Sequence, residues 1–157
     1  MEIRIVCAGK MKEKYYKEAC DEYIKMLSRF CRTNVFEIPD EPLSQVKSAA
    51  DEAASLEKEA EKIEKKLEGY VVVLDIKGKR FDSEGFASHI KNVRLGGDSL
   101  ITFVIGSSLG LHDRIKKRAD LRLSFSDMTM PHRLFRVVLL EQIFRAFKIM
   151  NGEAYHK

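Results

Sequence analysis

Two stretches of this chain, Tyr70–Ile76 (YVVVLDI) and Leu100–Ile105 (LITFVI), are near-continuous apolar runs rich in β-branched residues. A strand with one wet face alternates apolar and polar residues, so runs without alternation read as strands buried on both faces. Such strands belong in a parallel sheet covered by helices on both sides. The rest of the chain supplies the parts. Ile3–Ala8 reads as a short strand closed by Gly9, Asn34–Ile38 as one stopped by Pro39-Asp40-Glu41-Pro42, and Leu121–Phe125 as a last one. Tyr16, Ala19, Cys20, Tyr23, Ile24 and Leu27 fall on one helical face. A helix is expected from about Ser44 to Leu67, striped by Val46, Ala50, Ala53, Leu56, Ala60, Ile63 and Leu67, with its Glu and Lys as a solvated face. Lys77-Gly78-Lys79 reads as a turn, and Phe81–Val93 as a helix capped by Asp82 or Ser83. A short helix follows from about His112 to Ala119. Arg133–Met150 is a long apolar helix, and Asn151–Lys157 a polar tail. No linker, repeat or low-complexity segment interrupts the 157 residues. The expectation is one α/β domain with a mostly parallel sheet.

Composition narrows the classes. At 45% hydrophobic and 33% charged residues, a packed core is within reach and global disorder is not expected. A net charge of +4 is compatible with an RNA partner without identifying one. Cys7, Cys20 and Cys31 are odd in number and lack ligand spacing, so neither a disulfide framework nor a metal site is expected. The apolar start at Met1–Val6 is too short for a signal peptide, and no run is long enough to span a bilayer. The expected protein is soluble and cytoplasmic, with no membrane partner.

In parallel α/β sheets, ligands sit beyond the carboxyl ends of the strands. Three loops qualify: Leu74–Lys79, Gly106–His112 and Phe125–His132. Gly106-Ser107-Ser108-Leu109-Gly110 is neither a dinucleotide fingerprint nor a phosphate loop, but its small residues admit a ligand close to the backbone. It also fits the G-x-S-x-G elbow of serine hydrolases, with Ser108 as nucleophile and Asp120 or Asp127, then His132 or His156, downstream. The short chain argues against that fold. In Leu123–Arg136 (LSFSDMTMPHRLFR), Ser124, Ser126 and Thr129 can bond backbone groups, and Pro131 can open a helix. His132 and Arg136 then share a helix face, either as proton carrier and anion clamp or as a cap with a structural ion pair. Glu141, Arg145 and Lys148 read first as an ordinary salt-bridged face. The tail Tyr155-His156-Lys157 reads first as a frayed end, although its three groups could stack on a base, move a proton and meet a phosphate.

Four segments together resemble a known family over almost the whole chain. They are VCAGKMKEKYYKEACDEY leading into FEIPDE, VVLDIKGKRFDSEGFA, FVIGSSLGLH, and LSFSDMTMPHRLFRVVLLEQIFRAFKIMNGEAYHK. The last is the most specific, with many residue types at fixed spacing. The chain is similar to the large-subunit (23S) ribosomal RNA pseudouridine N3-methyltransferases, minimal members of the SPOUT class. It departs from them at Ser107, where a second glycine is common. The resemblance implies an α/β SPOUT fold with a trefoil knot near the C-terminus. It implies S-adenosylmethionine (AdoMet) as cofactor, held by Leu74, Gly106, Phe125, Ser126, Asp127, Met128, Thr129 and Met130. It implies a homodimer whose partner chain completes the active site, acting on the assembled ribosome. Catalytic roles then fall to Tyr155 against the base, His156 as base or donor, His132 as the other proton carrier, and Arg136 or Lys157 against phosphate. A non-catalytic ribosome-binding or assembly factor on the same fold is the competing reading, separated from the enzyme by cofactor binding.

Overall fold

A computed structural model of the protein describes residues 1–40 and 43–155. Five strands, β1 (Glu2–Ala8), β2 (Arg32–Ile38), β3 (Tyr70–Arg80), β4 (Leu100–Ile105) and β5 (Leu121–Ser124), form one sheet in the order β2-β1-β4-β3-β5. Every pairing is parallel. Five helices link and follow them: α1 (Lys14–Leu27), α2 (Ala49–Glu64), α3 (Ser83–Leu95), α4 (Asp113–Arg118) and α5 (His132–Met150). The two unbroken apolar runs supply β3 and β4, both interior strands, as burial on two faces requires.

Residue parity along the strands sorts the core into two layers. Ile3 and Ile5 of β1, Val72 of β3, and Ile101 and Phe103 of β4 join a cluster with buried residues of α1, α3 and α5. Val6, Val71, Val73 and Val104, of opposite parity, join Ala60 and Ile63 of α2 and Ile115 of α4. Burying one such side chain contributes roughly 1.5–3 kcal/mol, so a one-residue slip that swapped the layers would be heavily disfavoured. Cys7, Cys20 and Cys31 are free and buried.

Two local expectations change. The α2 helix starts at Ala49, not near Ser44, and is preceded by a single 3₁₀ turn at Leu43–Gln45. The reason is a reciprocal cap: Asp51 N–H donates to Ser48 Oγ at 3.1 Å, and Ser48 Oγ donates to the Asp51 carboxylate at 2.9 Å. Asp82, of the two caps considered for α3, accepts from Gly85 N–H at 2.7 Å. The expected turn at Lys77–Lys79 is a bulge inside β3. Leu123 of β5 pairs with both Leu74 and Lys79, so the residues between them loop out before the strand resumes. Gly78 permits this, because a Cβ there would lie 2.6 Å from the carbonyl of Arg122.

Candidate active site

The bulge of β3 opens one wall of a cleft at the carboxyl edge of the sheet. Its shape is held by Asp75, the single acid within the apolar run of that strand. One Asp75 oxygen accepts from Lys77 N–H at 3.0 Å, and the other accepts from Arg122 Nε at 2.9 Å and Nη2 at 2.6 Å. Burial alone would raise the Asp75 pKa, but these donors outweigh it and hold the carboxyl below its usual range. Leu74, Asp75 and Ile76 line the cleft from this side.

The loop after β4 makes the floor. Gly110 N–H donates to Ser107 O at 2.9 Å, closing a tight turn. Gly106 sits against that turn so closely that a Cβ would meet Gly110 O at 2.4 Å. Ser107 Oγ is folded into the turn and accepts from Leu109 N–H at 3.4 Å. Gly106, Ser107, Gly110 and Leu111 all line the cleft.

The loop after β5 makes the opposite wall, with Phe125, Ser126, Met128, Thr129 and Met130 in the lining. Ser124 Oγ donates to Ser126 O at 3.2 Å, and Ser126 Oγ accepts from Met128 N–H at 3.0 Å. Phe125 is wedged edge-on between Phe86 and Phe135, with ring centroids 6.3 and 5.2 Å away. All the expected cofactor residues meet in this cleft except Asp127. That side chain is 76% exposed and turns outward to pair with Arg80.

The first turn of α5 closes the cleft. His132 lines it, and its Nε2 is buried without a hydrogen-bond partner among the described residues. Burial, with Arg133 and Arg136 adding repulsion against the smaller pull of Asp40, holds the His132 pKa below the ordinary imidazole range. Its ring is therefore neutral near pH 7. One turn on, Arg136 is only 4% exposed. It donates to Glu37 Oε1 at 2.6 Å and to Gly9 O at 3.1 Å. Burial would raise the Glu37 pKa, but the bonds from Arg136 and Met11 N–H hold it below its usual range. Arg136 thus ties α5 to the ends of β1 and β2 and does not line the cleft.

The chain matches the family described as "Predicted SPOUT methyltransferase" over residues 1–156. It belongs to that family. Among relatives, the "Ribosomal RNA large subunit methyltransferase H 1" of Clostridium perfringens is 49% identical across the full length of both chains. The "Ribosomal RNA large subunit methyltransferase H" proteins of Clostridium kluyveri and Clostridium botulinum are 50% identical with the same full coverage. Solved structures show the likeness of fold at far lower identity. A probable methylase family protein from Haemophilus influenzae superposes with a TM-score of 0.57 at 12% identity, over 99% of this chain and 70% of that one. A probable methyltransferase from Bordetella pertussis gives 0.56 at 12% identity, over 92% and 93%.

In this SPOUT methyltransferase the serine-hydrolase geometry is not assembled among the described residues. Ser108 is exposed and outside the cleft lining. Asp120 accepts from Val71 N–H at 2.7 Å, near the start of β3 and so at the opposite edge of the sheet, and Asp127 pairs with Arg80. His112 is likewise accounted for: it caps α4, with Nδ1 accepting from Arg114 N–H at 3.2 Å, while Nε2 faces Glu57 at 3.1 Å.

Tyr155 lies away from the cleft of its own chain. Tyr155 packs edge-on against Phe144 at 5.1 Å and under the Arg145 guanidinium at 4.8 Å, with its hydroxyl 3.4 Å from Glu141. Phe144 is a dozen residues past His132 on α5, about 18 Å along the axis at 1.5 Å per residue. Glu141 and Arg145 make the salt-bridged face that their spacing suggests, 2.5 Å apart, and Lys148 pairs with Glu153. His156 and Lys157 lie outside the described residues. Sequence reasoning had Asp75, Ile76 and Leu111 within the candidate loops without singling them out, and missed Ile105, Leu123 and Phe135 in the lining. For Asp75 a signal existed, since a lone acid inside a doubly buried strand needs a partner.

Among the described residues, no group of His, Cys, Asp and Glu could hold a metal ion, and no helix is long and apolar enough to cross a membrane.

Proposed function

We propose that the cleft binds AdoMet and that the enzyme, as a homodimer, methylates N3 of a pseudouridine in large-subunit ribosomal RNA on the assembled ribosome. The observation that carries this reading is the cleft itself, walled by the three loops that follow β3, β4 and β5 in a chain that aligns end to end with named ribosomal RNA methyltransferases.

The residues present fit AdoMet. Leu74, Leu111 and Met130 give apolar walls suited to an adenine, and backbone groups of the loops after β4 and β5 offer polar partners. The bare backbone at Gly106 lets a ligand approach where any side chain would strike Gly110. When bound, AdoMet supplies an electrophilic methyl group on a sulfonium.

This chain's own residues then have three tasks. The cleft must hold the donor so that acceptor nitrogen, methyl and sulfur fall in line. Ile76 and Met128, 43% and 78% exposed at its rim, are placed to meet the flat acceptor base or a second chain. The N3 proton must also leave. His132, neutral and unpartnered inside the cleft, is one acceptor for it. His156, from the tail of a second copy with Tyr155 beside the base, is the other. The distance from Tyr155 to its own cleft favours delivery across a dimer. Arg136, already engaged by Glu37, is assigned as a positioning residue rather than a phosphate clamp. A trefoil crossing belongs to the same reading. It is supported by β4 lying between β1 and β3 and by α5 returning from edge strand β5 across α1 and α3.

The test is to incubate the enzyme with methyl-labelled AdoMet and either ribosomes lacking the modification or free ribosomal RNA, followed by nucleoside mass spectrometry. Label recovered as 3-methylpseudouridine from ribosomes alone is the expected result. Cofactor binding without label would redirect the search to another acceptor, and absence of cofactor binding would end the proposal.

A further inference from the structure

The carboxyl end of β1 leads into a segment that the chemistry above does not use. Lys10, Lys12, Lys14 and Tyr15 are all exposed there, on the same sheet edge as the cleft. Two of the acids near them are engaged elsewhere, while a third, Asp40, lies beside Gly9. Glu13 accepts from Arg133 at 2.5 Å, and Glu37 Oε1 is shared by Arg136 and Met11 N–H. Lys10 and Lys12 enter no ion pair among the described residues, and Lys14 has only an exposed contact with Glu18 at 3.6 Å. Tyr15 is 63% exposed, and its ring is oriented by an edge-on contact with Tyr16 at 4.4 Å between centroids.

The same bonds that occupy the acids also pin the segment. Met11 N–H is held by Glu37, the Gly9 carbonyl by Arg136, and Glu13 by Arg133 in the first turn of α5. His132, in the cleft lining, lies beside Gly9, so close that a Cβ on Gly9 would come within 3.1 Å of His132 Nε2. Exposed lysines held in no close ion pair, on a fixed backbone next to the cleft, attract a polyanion to that side of it. An exposed tyrosine among them suits a nucleic acid with unstacked bases, because its ring can stack on any base.

We propose that Lys10, Lys12, Lys14 and Tyr15 form the RNA-docking surface of the enzyme, the lysines contacting phosphates of the acceptor strand and Tyr15 stacking on an unpaired base beside the methylation site. This rests on the reading that the acceptor is RNA. It adds the direction from which that RNA enters, the β1 side of the cleft over His132.

The test compares wild type with Lys10→Ala/Lys12→Ala, with Tyr15→Ala, and with a charge-matched control, Lys65→Ala/Lys91→Ala, whose positions lie elsewhere on the surface. Filter binding to unmodified ribosomes is measured over a range of salt, beside AdoMet affinity by calorimetry and thermal stability. The lysine pair should weaken ribosome binding by about tenfold or more near physiological salt and flatten the log–log salt slope by about 1.4, as loss of two single-strand phosphate contacts requires. Tyr15→Ala should weaken binding with the slope unchanged. AdoMet affinity and thermal stability should match wild type in every variant, and the control pair should bind as wild type does. An unchanged slope in Lys10→Ala/Lys12→Ala, or an equal change in the control, would overturn the docking surface. Because binding is read without turnover, a wild type that binds ribosomes through these residues yet transfers no methyl would overturn the proposed reaction and leave this surface standing.

Discussion

Gly106 is where the cleft tolerates least. A Cβ would stand 2.4 Å from a backbone oxygen, and backbone cannot swing aside as a side chain can. Gly106→Ala should therefore push the β4 loop into the cleft, costing about 1–3 kcal/mol in stability and at least tenfold in AdoMet affinity. Denaturant unfolding and calorimetry read the two effects, and retention of full cofactor affinity would refute the packing argument. The histidines carry a pH signature. Burial, reinforced by Arg133 at His132 and by Lys79 at His89, keeps both rings neutral where an unfolded chain would protonate them. Below about pH 6.5 the unfolded state therefore binds more protons, so this stability is intact above that pH and declines as pH falls toward the depressed folded values. The melting temperature should drop between pH 7.5 and 5.5, and His89→Gln should shrink the drop. A melting curve with the same pH slope in that variant would assign the loss to other groups.

At the scale of elements, the joint between α5 and the ends of β1 and β2 depends on one buried cation. Arg136 is 4% exposed while the Glu37 side chain is 33% exposed, so the two partners are not equivalent. Glu37→Ala strands a buried guanidinium on the Gly9 carbonyl and should cost roughly 3 kcal/mol. Arg136→Met leaves a carboxylate that can rehydrate, and should cost less. Chemical unfolding of the two variants checks the order, and the reverse order would mean that the cation is not the buried partner. This joint also marks what the sequence could disclose. Unbroken apolar runs are a one-dimensional signal, so β3 and β4 were legible as interior strands. Helical spacing put His132 and Arg136 on one face, and both do meet Gly9. Spacing carries no information about the third element that a side chain reaches, so the Glu37 partner of Arg136 was not legible. The outward turn of Asp127 was hidden for the same reason, and so was the bulge at residues 75–78, which depends on a pairing with β5 some fifty residues away. The start of α2 was within reach of the sequence, in the Ser48–Asp51 cap.

For the whole molecule, the separation of Tyr155 from its own cleft makes a prediction about mixtures. If a second copy delivers the tail, a chain with a blocked cleft and a chain with a defective tail should rescue one another. One live site forms in each mixed dimer, so random mixing of Gly106→Val with Tyr155→Ala should restore about a quarter of wild-type turnover. Failure to rescue, with mixed dimers demonstrated, would place the tail in its own cleft. The strand order has a further consequence, for synthesis. β4 fits between two strands made well before it, and α5, which covers one face of the finished sheet, is translated after all five strands. A nascent chain that has emerged only through β5 holds a parallel sheet with one apolar face covered only in part, by α1 and α3, and with long-range pairings still to consolidate, conditions under which folding is slow and aggregation competes. The residues that seal this face, Leu139, Leu140 and Ile143, lie on the helix that also brings His132 to the cleft. Completion of this core layer and closure of the cleft by His132 are thus a single event late in biogenesis, and a truncated polypeptide gains neither without the other.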